Sequence, residues 1–227
     1  MAKDLARLTT MMDAYRVARG ISSEPRDHLP TIPSQLADMV TYHESRGIIK
    51  KGQRCIELGC GMGFAEFVLN TEGYNVIGYE LDGSLVRKAY ELKEQLLAKD
   101  LLNPSLECVF RQESYFPAQY LDIIKKQRLD GLMTSEERGI RICGQEADFL
   151  HIVPGNVTPE ELKTYDIFYA YPWMSQIPSL LELFSLYSKQ DAVLLFMISG
   201  QEHMVNLFLS SYNLRNVTDR LFVKGYF

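Results

Sequence analysis

The run Cys55-Ile56-Glu57-Leu58-Gly59-Cys60-Gly61-Met62-Gly63-Phe64 constrains this chain more than any other stretch. Its apolar first half reads as a buried strand, its three alternate glycines as a tight turn, and Ala65 to Leu69 as the start of a helix. Glycine reaches positive φ without penalty and carries no Cβ, so such a turn can hold a bound group against the main chain. The helix that follows leaves its first N–H groups unpaired and directed at the same place. Without a ligand, the same residues would make a close structural βα turn.

The surrounding charges select the ligand. No Lys or Arg occurs from Cys55 to Asn70, whereas Glu57 precedes the first glycine and Glu66 lies in the first helical turn. A dinucleotide fingerprint needs G-x-G-x-x-G, and here the third position falls on Phe64 or Glu66. A carboxylate at Glu57 repels a diphosphate and attracts an ammonium or a sulfonium. A second strand, Tyr74 to Tyr79, ends in Glu80, about twenty residues after Gly59, the spacing at which an acid bonds ribose hydroxyls in such folds.

At this point the chain resembles the class I S-adenosylmethionine-dependent methyltransferases. Their first motif, an acid followed by G-x-G-x-G, matches Glu57, Gly59, Gly61 and Gly63, and their second-strand acid matches Glu80. The resemblance covers roughly 51–198. It implies a Rossmann-like, doubly wound, mostly parallel α/β sheet with helices on both faces, and S-adenosyl-L-methionine as cofactor. The family's roles place the methionine part over the glycines and the ribose on Glu80. They make Glu57, Leu58, Gly59, Cys60, Gly61, Gly63, Glu80, Leu81, Glu113, Ser114 and Ala170 the candidate cofactor-binding residues.

Length and composition fit one α/β domain, with 46% hydrophobic and 23% charged residues among 227. A net charge of −5 provides no general attraction to nucleic acid, which argues against such a partner. Lys3, Asp4 and Arg7 interrupt any signal-like apolar core, and the longest apolar run, Ala192 to Ile198, is too short to span a bilayer, so a cytoplasmic location without a membrane partner is expected. Cys55, Cys60, Cys108 and Cys143 form neither C-x-x-C pairs nor Cys–His spacings, so they read as reduced, packed thiols and no metal site is expected. Oligomeric state has no signature.

The expected organisation is an N-terminal helical cover over 1–48 and the cofactor-binding domain over 49–227, with an insertion or lid at 118–160. Ala2 to Arg19 carries helical apolar spacing, and a second helix is expected from Ser34 to Arg46 with Ser34 as its cap. Tyr15 and His28 are possible ligand contacts in such a cover. A helix over Ser84–Lys99, capped by Asp82 or Ser84, precedes a third strand at Leu106–Phe110. Its exit offers Glu113 or Ser114 to the adenine; if Phe149–Val153 is the third strand instead, Asn156 takes that place. Five basic residues (Lys125, Lys126, Arg128, Arg138, Arg141) meet six acids between Ala118 and Asp148, so the insertion reads as a near-neutral lid or substrate-choosing element.

The fourth strand, Tyr165 to Tyr171, stops at Pro172, and its carboxyl end should face the cofactor. Amino-methylating relatives carry [Asp/Asn/Ser]-Pro-Pro-[Tyr/Phe/Trp] there, matched by Ala170-Tyr171-Pro172-Trp173. Ala170 lacks the polar group, which weakens the case for an amide or nucleobase nitrogen as acceptor. Tyr171 can orient an acceptor and Trp173 can stack on one. Glu202, His203 or His151 could serve as a base. The candidate catalytic residues are Tyr171, Trp173 and His203, the expected substrate a small molecule or a protein side chain, and the alternative a non-catalytic methyltransferase-like domain that binds a nucleotide or a partner.

Overall fold

The computed structural model describes residues 2–18, 31–129, 153–172, 176–197, 214–218 and 221–224. Its strands are β1 (Arg54–Leu58), β2 (Asn75–Glu80), β3 (Cys108–Gln112), β4 (Ile167–Ala170), β5 (Val193–Phe196), β6 (Leu214–Thr218) and β7 (Leu221–Lys224). They form one sheet in the order β3-β2-β1-β4-β5-β7-β6. The first five are parallel to one another, and β7 inserts antiparallel between β5 and β6. Strand order therefore reverses between β1 and β4, and the carboxyl ends of these two strands form the switch point at which folds of this kind bind ligands.

The helices are α1 (Ala2–Ala18), α2 (Pro33–Ser45), α3 (Phe64–Glu72), α4 (Gly83–Leu97), α5 (Ala118–Leu129), α6 (Pro159–Leu162) and α7 (Ile177–Tyr187). Strand residues alternate between two cores, as the pleat requires. Cys55, Val76, Ile167, Tyr169 and Leu195 pack with α1 to α4, whereas Ile56, Leu58, Ile77, Phe168 and Phe196 pack with α5 to α7. The described parts of α1 and α2 join the first core through Leu8, Met12, Leu36 and Val40. They lie against α3, on one face of the sheet.

Local signals act largely where the sequence places them. Asp82 caps α4, its carboxylate accepting from Ser84 N at 2.7 Å. Gly73 ends α3 at φ 108°, with Tyr74 N returning to Leu69 O at 3.0 Å. The expected Ser34 cap is not used: α2 starts at Pro33, behind Ile32, which makes no side-chain cap. Proline supplies a helical φ and lacks the N–H that a cap would satisfy. Of the two candidates for the third strand, Leu106–Phe110 is the one that pairs with β2, shifted two residues along as β3. Most of Phe149–Val153, and the expected helix through Leu209, lie outside the described residues.

Phe168 is fully buried at the centre of the sheet, edge-on to Phe184 at 5.2 Å. Replacing it with alanine should lower the unfolding free energy in urea by about 3–5 kcal/mol. A loss below about 1 kcal/mol would place β4 outside the core.

Candidate cofactor site

The glycine run becomes the loop from β1 to α3, and all three glycines adopt left-handed backbone: φ is 91° at Gly59, 55° at Gly61 and 81° at Gly63. The loop is fastened to its neighbouring strand. Gly59 N and Cys60 N both donate to Tyr79 O, at 3.0 and 2.9 Å, and Gly63 N closes a turn on Cys60 O at 2.9 Å. A Cβ at Gly63 would stand 2.5 Å from the Phe110 ring, so this turn also presses directly on β3.

Glu80, at the end of β2, joins the loop from the other side. One oxygen accepts from Gly61 N at 3.0 Å and the other from Asp82 N at 2.9 Å. The carboxylate is thereby held at the carboxyl end of β2, beside the central glycine. Leu81 follows it, 53% exposed. Leu58 and Cys60 are buried below, and the Cys60 thiol is pushed well above its usual value by burial and then by Glu66 and Glu57.

Beneath the loop the structure changes the charge argument. Glu57 is 2% exposed and Glu66 0%, and their carboxyls meet in the interior. Aligned strand residues form a row across one face of the sheet: Phe110, Gly78, Glu57, Tyr169 and Leu195. Gly78 leaves a gap in that row, and Glu66 descends into it from α3; a Cβ on Gly78 would lie 1.9 Å from Glu66 Oε1 and 2.6 Å from Cys60 Cβ. Burial raises both carboxyls, and for Glu57 the nearness of Glu66 comes next. Glu57 is therefore one half of a buried carboxyl pair that burial and mutual repulsion push toward the neutral form, not the isolated carboxylate that sequence spacing suggests. Reading the sequence, Glu66 was only an acid in a first helical turn; its pairing with Glu57 had one visible signal, a glycine in the middle of β2.

The two alternatives for the adenine contact prove to be neighbours. Glu113 Oε2 accepts from Asn156 N at 3.2 Å, and Gly155 N donates to Phe116 O at 2.8 Å, so the 153–157 segment runs alongside the exit of β3. A Cβ on Gly155 would fall 1.8 Å from Ser114 O, which explains the glycine. Ser114 is buried, and its hydroxyl accepts from Phe116 N at 3.1 Å. Arg111 and Glu113 approach to 3.9 Å, a loose and partly exposed pair of little energetic weight.

At the end of β4, Ala170 is fully buried in the second core and Tyr171 is half-buried, packed against the first. Tyr169 hydrogen-bonds Thr31 through its hydroxyl at 2.9 Å, tying the entry of α2 to the same strand end. Trp173, His203, Glu202, His151 and His28 lie outside the described residues, as does the Tyr15 side chain. Cys55, Cys60 and Cys108 are buried free thiols, and the described residues contain no His, Cys, Asp and Glu cluster arranged to hold a metal. No helix of the described residues is long and apolar enough to cross a membrane. A groove of about 470 Å³ between α1 and α2, near Lys51 and Glu72, includes none of the candidate residues.

Two measurements probe this geometry. Gly78→Ala drives a methyl group into Cys60 and Glu66 and should cost about 1–3 kcal/mol in urea unfolding. Folding raises Glu57 and Glu66, so their contribution is fully present below the ordinary glutamate value of about 4.3 and is lost as pH climbs through the raised folded values. The protein should therefore lose stability from about pH 5 to about pH 8, and Glu66→Gln should flatten that slope. His43, lowered by burial, works in the opposite sense below about 6.5, so the comparison is between wild type and variant at each pH.

No family model and no curated protein sequence matches the chain. Solved structures do. A candidate RNA methyltransferase from Pyrococcus horikoshii superposes with a TM-score of 0.51 at 14% identity, over 90% of this chain and 92% of that one. A precorrin-6y C5,15-methyltransferase from Geobacter metallireducens gives 0.49 at 9% identity over 85% and 77%. An RNA methyltransferase from Salinibacter ruber, solved with S-adenosyl-L-homocysteine, gives 0.44 at 14% identity over 74% and 76%. With its strand order, its loop and the first of these superpositions, the chain has the Rossmann-like fold of the class I S-adenosylmethionine-dependent methyltransferases.

Proposed function

We propose that this protein is an S-adenosylmethionine-dependent methyltransferase acting on a small molecule or an exposed protein side chain. The single observation that carries the reading is the clasp at the switch point, where the Glu80 carboxylate takes the Gly61 amide of a loop with three left-handed glycines. That clasp presents ribose-bonding oxygens next to main chain stripped of side chains. With no Lys or Arg between Cys55 and Asn70, the loop offers a phosphate no counter-charge, and the Glu80 carboxylate on its edge suits a cationic ligand.

When bound, S-adenosylmethionine supplies an electrophilic methyl on a sulfonium, and transfer is an in-line displacement that depends on alignment. The chain's part is to hold the acceptor on that line and to exclude water. Tyr171, at the carboxyl end of β4, offers a hydroxyl to orient the acceptor, Trp173 a face for it, and His203 a base. Leu58, Leu81, Glu113, Ser114 and Ala170 complete the proposed cofactor walls. We assign 118–160 to substrate choice and 1–48 to a helical cover of the domain. The fully apolar Ala170, where a polar side chain would grip a nitrogen, favours a non-catalytic binding domain as the second reading.

Calorimetry with S-adenosylmethionine and S-adenosylhomocysteine tests the first half. Both should bind, and Gly61→Arg, at φ 55° in the loop, should weaken binding at least about tenfold. No binding at millimolar ligand overturns the proposal. Methyl transfer is then assayed across amines, phenols, carboxylates, peptides and RNA. Turnover on a small molecule or peptide, lowered about tenfold by Tyr171→Phe, is the expected result. Turnover on RNA alone overturns the substrate class, and cofactor binding without any turnover selects the second reading.

A further inference from the structure

Two glutamates meeting in a protein interior demand an explanation. Neither oxygen of Glu66 and not Oε2 of Glu57 has a hydrogen-bond donor among the described groups. The Glu66 amide and the Cys60 thiol come close to the Glu66 carboxyl without hydrogen-bond geometry. Contact between two carboxyls is favourable only when one of them carries a proton. Leaving such groups underpaired costs of the order of 1–3 kcal/mol each, and an apolar pair at these positions would avoid it. The fold instead makes room for them, through Gly78 in β2.

The groups facing the pair are Cys55 on β1, Cys60 in the loop, Glu80 at the end of β2, Cys108 on β3 and Tyr169 on β4. Burial holds the three thiols and the Tyr169 phenol in their neutral forms. The cation on that side, Lys93, lies beyond Cys108, where its ammonium is bonded to the Cys108 carbonyl at 2.7 Å. No Lys or Arg faces either carboxyl among the described groups. A positive charge that would let the pair ionise has therefore to come from outside, and the glycine loop is the opening above it.

We propose that Glu66 is a positioning residue of the cofactor site: with Glu57 it shares a proton in the free protein, and the pair releases that proton to solvent when a cation settles on the glycine loop. The inference rests on the cofactor reading above and deepens it. S-adenosylmethionine carries a sulfonium and S-adenosylhomocysteine an uncharged thioether, so the ionised pair holds the former more tightly. Once the methyl has left, the pair recovers a proton from solvent and its attraction for the by-product falls.

The test is calorimetry of the full chain with each nucleoside, in two buffers of different protonation enthalpy near pH 7, repeated over a pH series. Proton release is expected with S-adenosylmethionine and less with S-adenosylhomocysteine. Affinity for the former should tighten as pH rises, by at most about tenfold per pH unit, the limit for one proton released. In Glu66→Gln the affinity, whatever its absolute value, should vary less with pH than in wild type, and the preference between the two nucleosides should shrink. Binding to wild type without proton release or pH slope overturns the inference and leaves the cofactor reading standing, as does a Gln variant that keeps both. Absence of binding to wild type overturns that reading and the inference with it. If circular dichroism shows the variant unfolded, the two-buffer comparison on wild type decides alone.

Discussion

The site depends on how one carbonyl is used. Tyr79 O, at the end of β2, accepts from two successive amides of the glycine loop, and the next residue, Glu80, accepts from a third. Strand β2 thereby sets where the loop stands. The three glycines reach this shape because no side chain opposes positive φ, and any other residue there would pay roughly 1–2 kcal/mol of backbone strain. What results is a strip of bare main chain held at the switch point of a parallel sheet, where ligands of such folds bind.

The interior beneath that strip shows a second constraint. A parallel sheet covered on both faces is ordinarily apolar throughout. Here the row Phe110, Gly78, Glu57, Tyr169, Leu195 carries a carboxyl at its centre and a gap beside it, and the gap admits a second carboxyl from α3. Both faces are otherwise packed mainly with Leu, Val, Ile and aromatic residues, and Glu57 and Glu66 are the buried acidic residues among those described. Locally unfavourable chemistry placed at one point of an otherwise consistent core is characteristic of a functional site.

Legibility followed the range of the interactions. The loop, the acid after β2, the Asp82 cap and the glycine stops were readable because each is decided within a few residues. The third strand was open between two stretches, since both have strand-like composition; pairing with β2 chose one of them and set its register. The Ser34 cap failed because Pro33 enters the helix first, a competition between neighbours that composition does not rank. The return of Gly155 and Asn156 to the exit of β3, across an intervening stretch of some forty residues, was invisible to any local pattern.

The amino-acid order alone determined that a strand, a glycine turn and a helix follow one another, that an acid ends the next strand, and that no basic residue accompanies them. Those are properties of backbone freedom and of charge along the chain. Tertiary structure alone decided that Glu66 reaches Glu57 through the space left by Gly78, because the two lie on different elements and meet only when α3 packs on the sheet. Sequence counts charges; burial decides which of them the protein can keep.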